Sequence, residues 1–410
     1  MKPLKIAVIV HGRFYAFDLV RELIKQGHDV TLFTNYPKYI VEKFGIPRSY
    51  VCSFLLHGIL SRIFHRLTQL LPSPSLEPLL SSLFSKWVAK QISKENYDVI
   101  HCFSGIAEEL FKSLSSTSQT VKTLVRGSSH IRVQKQLLEA EEIRANSLVK
   151  TPLKIDQPSD WIIEREEREY QLADIVIVLS TFAQTSFIQQ GIEANKLSIL
   201  PLGAQLSFFR PDAKVIADRC QRILSGQPLK VLMIGTFSLR KGAIDFIEIA
   251  KNAGAGFQFQ FVGSITNEAD FLYQTHQQYI DFIPRKPEAE LPQFYAEADI
   301  FIFTTIEDGY AVVLSQAQAA GLPIIATTNC SAPDIIVDNE TGWVLPIRSP
   351  DAFVEKLKWC NEHRPELEKM VKRVYEDFQP RDWSDVAEDF TIMVRDYLDQ
   401  GYKQFHGKSL

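Results

Sequence analysis

At 410 residues, with 45% hydrophobic, 23% charged and 11% aromatic residues, the chain is globular in composition and too long for one ordinary core. That length suits two domains of roughly 200 residues each. The net charge of −4 excludes the strong basic field of a general nucleic-acid binder, and the five scattered cysteines, with no CxxC pair, exclude a zinc or disulfide framework and fit a reducing cytoplasm.

The N-terminus MKPLKIAVIVHG carries an apolar run broken by His11, too short for a signal-peptide core or a membrane span. Ile6 to Val10 reads as a buried strand, Phe17, Leu19, Val20, Leu23 and Ile24 as one face of a helix stopped at Gly27, and HDVTLFT as a second strand. This βαβ opening implies a parallel sheet. From Phe54 to Leu71, Leu55, Leu56, Ile59, Leu60, Ile63, Phe64, Leu67, Leu70 and Leu71 share a helical face opposite His57, Ser61, Arg62, His65 and Gln69. The ordinary use of such a helix is to bury that face on its own domain; the other is to lie at a membrane interface. Further strands are predicted at Asp98 to Cys102, Lys122 to Val125 and Ile175 to Leu179, which carries the first half to about Leu206.

LPLGAQLSFFRPD is a turn-rich exit, and a helix ending at Leu224 leads to the breakers Gly226 and Pro228. The pattern then restarts: strand KVLMIG, a helix from Lys241 to Ala250, strand FQFQFVG, and strand ADIFIFTT running to Asp308. The expectation is α/β: two doubly wound Rossmann-like domains, 1–206 and 207–385, facing across a cleft, followed by helical apolar spacing over 386–410. In such sheets ligands gather at the carboxyl ends of strands, so the loops His11–Arg13, Gly127–His130, Gly235–Lys241 and Glu307–Ala311 are expected to face one crevice.

DGYAVVLSQAQAAGLP, Asp308 to Pro323, carries the sharpest chemistry. Val312, Val313, Ala317 and Ala320 have helical period, which puts Gln316 about one turn into a helix, facing back toward the loop of Asp308, Gly309 and Tyr310. A helix start offers free N–H groups and a positive dipole end to an anion, while the two side chains receive hydroxyls on either side. A diphosphate between two polyols, a nucleotide-sugar, fits. The first loop, HGRFYAFD, lacks the GxGxxG spacing of a dinucleotide-binding dehydrogenase, and there is no P-loop.

The blocks GHDV, DVIHCFSG, ADIVIVLSTFAQTSF, ILPLGAQLSFFRP, MIGTFSLRKG, the Asp308 block and APDIIVDNETGWVLP fall in an order that resembles family 4 glycosyltransferases of the GT-B fold (glycosyl transferases group 1), over most of the chain. The resemblance implies that a helix at 386–410 returns to the first domain. That family carries two glutamates separated by seven residues around an EGFG-type loop; here they read Asp308 and Gln316. The resemblance implies that Asp308 contacts the transferred sugar and Gln316 the ribose hydroxyls, without the charge a glutamate would bring. Glu307 is the neighbour able to replace Asp308 if the loop shifts by one residue, and Gly309, Tyr310, Ala311 and Val312 complete the donor loop. In GTFSLRKG, Thr236 stands where the family carries Arg and Lys241 where it carries Lys, leaving Arg240 to supply a guanidinium to the diphosphate. For both cations the plainer reading is a solvated charge at a helix end.

The family also places a histidine after the fourth strand; in TLVRGSSHI that position is Arg126, with His130 four residues on, and either is a candidate catalytic group. Gly12 and Arg13 are candidates on the first loop, and His101 is a strand-end residue that supports the crevice. No DxD triplet and no metal-ligand spacing occurs, so no metal and no cofactor is expected. The resemblance implies a retaining transfer of a hexose-type sugar from a UDP- or GDP-linked donor to a glycan or lipid-linked acceptor, in the cytoplasm, at the inner face of a membrane if the amphipathic helix lies on one. A nucleotide-sugar epimerase of the same fold, or a catalytically silent nucleotide-sugar binding protein, would carry the same blocks.

Overall fold

The computed structural model describes residues 2–70, 76–114, 119–149 and 152–406, with side chains at all of these except 65–70 and 400–406. Seven strands, β1 (Lys5–Val10), β2 (Asp29–Thr34), β3 (Val51–Ser53), β4 (Val99–Phe103), β5 (Val121–Val125), β6 (Ile175–Val178) and β7 (Leu197–Ile199), form a parallel sheet in the order β3-β2-β1-β4-β5-β6-β7. Six more, β8 (Leu229–Phe237), β9 (Phe257–Ile265), β10 (Asp281–Pro284), β11 (Ile300–Phe303), β12 (Ile324–Thr327) and β13 (Gly342–Leu345), form a second parallel sheet, β10-β9-β8-β11-β12-β13.

Strand alternation divides the first core in two. Ile6, Val8 and Val10 of β1 pack on one face of the sheet and Ala7 and Ile9 on the other, so both faces need a helical cover. Part of that cover comes from the far end of the chain. Helix Trp383–His406 buries Val386, Ala387, Phe390 and Val394 among the side chains of β1, β4 and β5. His101, buried in β4, bonds Thr123 at 2.9 Å and sets its ring 5.0 Å from Phe390, which gives it a packing role at this helix. The helix is pinned at several further points: Tyr15 stacks on Trp383, Gln26 Nε2 donates to the Ser384 carbonyl at 3.0 Å, and Arg395 Nη2 donates to the Lys2 carbonyl at 2.6 Å.

The second sheet has one continuous core, and it includes Leu138 and Ala145 from helix Ile131–Asn146, which follows β5 in the chain. Two ion pairs fasten the same helix there: Arg144 to Asp245 at 2.5 Å and Glu141 to Arg348 at 2.8 Å. The two halves thus exchange helices across the crevice, one from each side.

The amphipathic helix departs from its ordinary use. It spans Leu55–Leu70, and Leu55, Leu56, Ile59, Leu60 and Ile63 are exposed, while the face carrying His57 and Gly58 is buried. The reason is local: Gly58 sits so near the Asn35 carbonyl oxygen that a Cβ would lie 2.3 Å from it, so this face turns inward. The side chains of His65, Leu67, Gln69 and Leu70, and Leu71 itself, lie outside the described residues.

Candidate functional site

The loop after β8 turns tightly before helix Ala243–Asn252. Gly242 has φ +75°, and a Cβ on it would meet the Thr304 carbonyl oxygen at 1.9 Å, so only glycine lets this turn lie against the end of β11. The Arg240 carbonyl accepts from Ile306 N–H at 2.9 Å, which fastens the turn to the loop leading into Asp308. Arg240 and Lys241 therefore arrive beside two carboxylates. Lys241 Nζ lies 2.6 Å from Asp308 Oδ2, and Arg240 pairs with Glu307 Oε2 at 2.6 Å. Asp308 Oδ1 accepts from Tyr310 N–H at 3.2 Å, and helix Val312–Ala319 begins two residues later with its first N–H groups free of intrahelical partners by geometry. Thr236 lies at the end of β8, paired in register with Ser264, and Ala311 N–H donates to Ser331 Oγ at 3.2 Å.

The first half meets this loop directly. A Cβ on Gly309 would fall 2.2 Å from the Gly127 carbonyl oxygen, so the two backbones touch. Ser129 donates to Glu307 Oε1 from both N–H (2.9 Å) and Oγ (2.8 Å), Gln134 Nε2 donates to Oε2 at 3.1 Å, and Arg240 Nη2 reaches Ser128 Oγ at 3.0 Å. Glu307 is fully buried. Burial raises its pKa, but Arg240, the Ser129 donors and Lys241 outweigh it and hold the carboxyl at about 2, so the charge stays. This five-residue junction is not readable from periodicity. Its members come from the loop and helix after β5 and from two loops of the second half, and they meet only because the halves close.

Five candidates are placed differently from expectation. Gln316 does not face the Asp308 loop: its Oε1 accepts from Tyr295 Oη at 2.9 Å, a phenol buried under the second sheet that fixes the carboxamide on that side. His130 caps helix Ile131–Asn146, its Nδ1 accepting from Arg132 N–H at 3.3 Å, and its ring packs 4.9 Å from Phe187 and 5.1 Å from Tyr170. Burial lowers its pKa to about 4. Arg126 pairs with Glu166 at 2.6 Å and donates to Gln134 Oε1 at 2.8 Å, so it buttresses the junction through Gln134. Arg13 stacks on Phe44, 4.1 Å from its ring centroid, while Gly12 N–H donates to Asn35 Oδ1 at 3.0 Å. These contacts hold the first loop toward its own domain. Among the described residues no group of His, Cys, Asp and Glu has the arrangement to hold a metal ion.

Two family models match in tandem: Glycosyltransferase Family 4 over residues 13–208 and Glycosyl transferases group 1 over residues 217–377. Among individual relatives, the amylovoran biosynthesis glycosyltransferase AmsK of Erwinia amylovora is 25% identical over 202 residues, 45% of this chain and 48% of its own. A GDP-mannose-dependent phosphatidylinositol monomannoside mannosyltransferase of Mycobacterium tuberculosis is 26% identical over 198 residues, 45% of this chain and 51% of its own. The chain thus spans about half the length of these relatives. In fold it is similar to HepE of Anabaena, solved in complex with UDP, at a TM-score of 0.66 and 16% identity over 96% of this chain and all of that one. With consecutive models covering both halves, glycosyltransferase relatives and the shared two-sheet architecture, the chain belongs to the group 1 glycosyltransferases.

Proposed function

We propose that this chain transfers a hexose-type sugar from a nucleoside diphosphate sugar, UDP- or GDP-linked, to a glycan or lipid-linked acceptor, with retention and without a metal. The carrying observation is the pairing of Lys241 with Asp308 and Arg240 with Glu307 at the head of helix Val312–Ala319, with Ser128 and Ser129 opposite. Two cations and a helix start form a diphosphate site, which the donor enters by displacing Asp308 from Lys241. Lys241 and Arg240 then neutralise the charge that grows on the leaving diphosphate. Asp308, released, receives a hydroxyl of the transferred sugar. The acceptor hydroxyl attacks from the face the diphosphate leaves, the bond to the phosphate oxygen breaks, and that oxygen takes the proton. We assign residues 207–385 to the donor, 1–206 to the acceptor, and 386–410 to joining them. The absence of a DxD triplet predicts that activity survives saturating EDTA; full loss restored by Mg²⁺ or Mn²⁺ would contradict this.

The UDP held by HepE and the GDP-mannose dependence of the mycobacterial relative support a nucleotide donor. We place the enzyme in the cytoplasm, with peripheral contact at the membrane; among the described residues no helix is long and apolar enough to cross one. A second reading, donor binding without turnover, is favoured by Asp308 and Gln316 standing where the family carries glutamates. Thermal-shift screening with UDP, GDP, ADP and their sugars, followed by release of nucleoside diphosphate with acceptor, separates the two. A melting shift with turnover supports the transferase, a shift with no turnover supports the binding protein, and no shift with any nucleotide rejects both.

A further inference from the structure

Two consecutive helices of the first half, Leu55–Leu70 and Glu77–Ile92, turn apolar side chains outward. Leu56 (61% exposed), Ile59 and Ile63 form a stripe on the first; Leu79 (64% exposed) and Leu83, preceded by Leu76, form one at the start of the second. Neither helix is loose. His57 is buried and its Nε2 donates to the Leu80 carbonyl at 3.0 Å, which clasps the two together, while Phe84, Ser85 and Val88 enter the core beneath. Each helix is therefore already packed by its other face, and the two outward stripes stand on helices clasped to each other.

Charge indicates what covers it. Residues 54–94 hold five Lys and Arg and one acidic residue, Glu77, in a chain of net charge −4. Lys86 and Lys90 are exposed and continue the helical stripe of Leu79 and Leu83, while Arg62 lies over the Tyr36 ring, 5.7 Å from its centroid. Apolar side chains next to cations on one surface match the boundary of an anionic bilayer, where leucines enter the acyl edge and lysines meet phosphate headgroups. We propose that this helical hairpin docks the protein on an anionic lipid bilayer.

Docking there has a geometric consequence. The His57 ring lies 5.1 Å from His11, and Asn35, which packs on Gly58, accepts from Gly12 N–H, so the hairpin borders the carboxyl end of β1. The first half's side of the crevice then opens beside the bilayer. This rests on the transferase reading only in naming a lipid-linked acceptor as the substrate delivered; the docking itself does not.

The test is co-sedimentation of the full chain with vesicles of phosphatidylcholine alone and of equimolar phosphatidylcholine and phosphatidylglycerol. Binding is expected only to the anionic vesicles and weaker at high salt. Leu56→Ser combined with Ile59→Ser and Leu79→Ser should reduce it about tenfold. Lys86→Gln and Lys90→Gln should each reduce it about fivefold, and these exposed substitutions carry the test if the serine variant fails to fold. Wild-type protein left in the supernatant, or glutamine variants that bind as wild type, would overturn the proposal. So would light scattering showing that the patch joins two copies of the chain and vesicles do not compete. A melting shift with UDP, read on the same variants, should be unchanged. Vesicle binding with no nucleotide shift would reject the donor site and leave the docking surface standing.

Discussion

Glu307 and Lys241 make opposite uses of charge at the same loop. Glu307 is buried and satisfied from four directions, so its carboxylate holds the halves together. Lys241, with 21% of its side chain exposed and its ammonium bonded to Asp308, can exchange that partner for a phosphate. Lys241→Ala should therefore weaken nucleoside diphosphate binding and lower kcat/KM by about 30- to 1,000-fold, or 2 to 4 kcal/mol. Unchanged kcat/KM would remove Lys241 from the site. His130 offers a second test. Its folded pKa of about 4 lies below the ordinary 6.5, so its contribution to stability is whole above pH 6.5 and is lost as pH falls toward 4, as the unfolded chain takes up the proton first. Glu167 pulls the other way, while Arg126 and Arg132 add to the depression. His130→Asn keeps a capping acceptor and removes the titration, so its denaturation free energy should fall less steeply across that window, by up to about 1.4 kcal/mol per pH unit. Equal slopes would show that His130 does not titrate there.

Among the elements, the helix starts and the glycine turns carry the most consequence. Gly242 and Gly309 each stand where a side chain would collide with backbone, the first inside the second half and the second between halves. Gly309→Ala should leave each half folded but push the Gly127 loop away, an overpacking cost of about 1 to 3 kcal/mol. Small-angle scattering should report a larger radius of gyration, with a fall in activity; an unchanged radius and turnover would show that the Gly127 contact is not needed for closure. The strands and most helices are legible in the sequence because period and apolar runs are local properties. The outward face of Leu55–Leu70 is not, since burial of an amphipathic face depends on which side the neighbouring Asn35 loop occupies. Gln316 is a similar case: helical spacing gives its place along the helix, while Tyr295, twenty-one residues upstream, decides where its carboxamide points.

For the whole molecule, the closing element is the last helix. Phe390 and Val386 are buried in the core of a sheet whose first strand begins at Lys5, and Ala204 N–H donates to the Arg381 carbonyl at 3.1 Å where the two connections between halves lie side by side. Deleting the residues after Trp383 should lower the melting temperature of the first half and abolish activity, although no residue that touches the donor is removed. Wild-type melting and turnover would show that the helix is dispensable. Phe390→Ala is the finer probe and should destabilise by about 3 to 5 kcal/mol.

The sequence by itself determines two wound halves, the loops at their strand ends and the order of blocks that places the chain in its family, because these follow from short-range pattern and from chain order. It also supplies the pair of cations beside the pair of carboxylates, Arg240 and Lys241 with Glu307 and Asp308, though not which joins which. Only the tertiary structure decides that Glu307 is the junction rather than a reserve for Asp308, since its oxygens take bonds from Ser129, Gln134 and Arg240 at separations of 178, 173 and 67 residues. Contacts of that range leave no periodic trace in the chain. They exist because two separately folded sheets present their strand ends to each other, and a buried carboxylate at that meeting must find its donors from both sides.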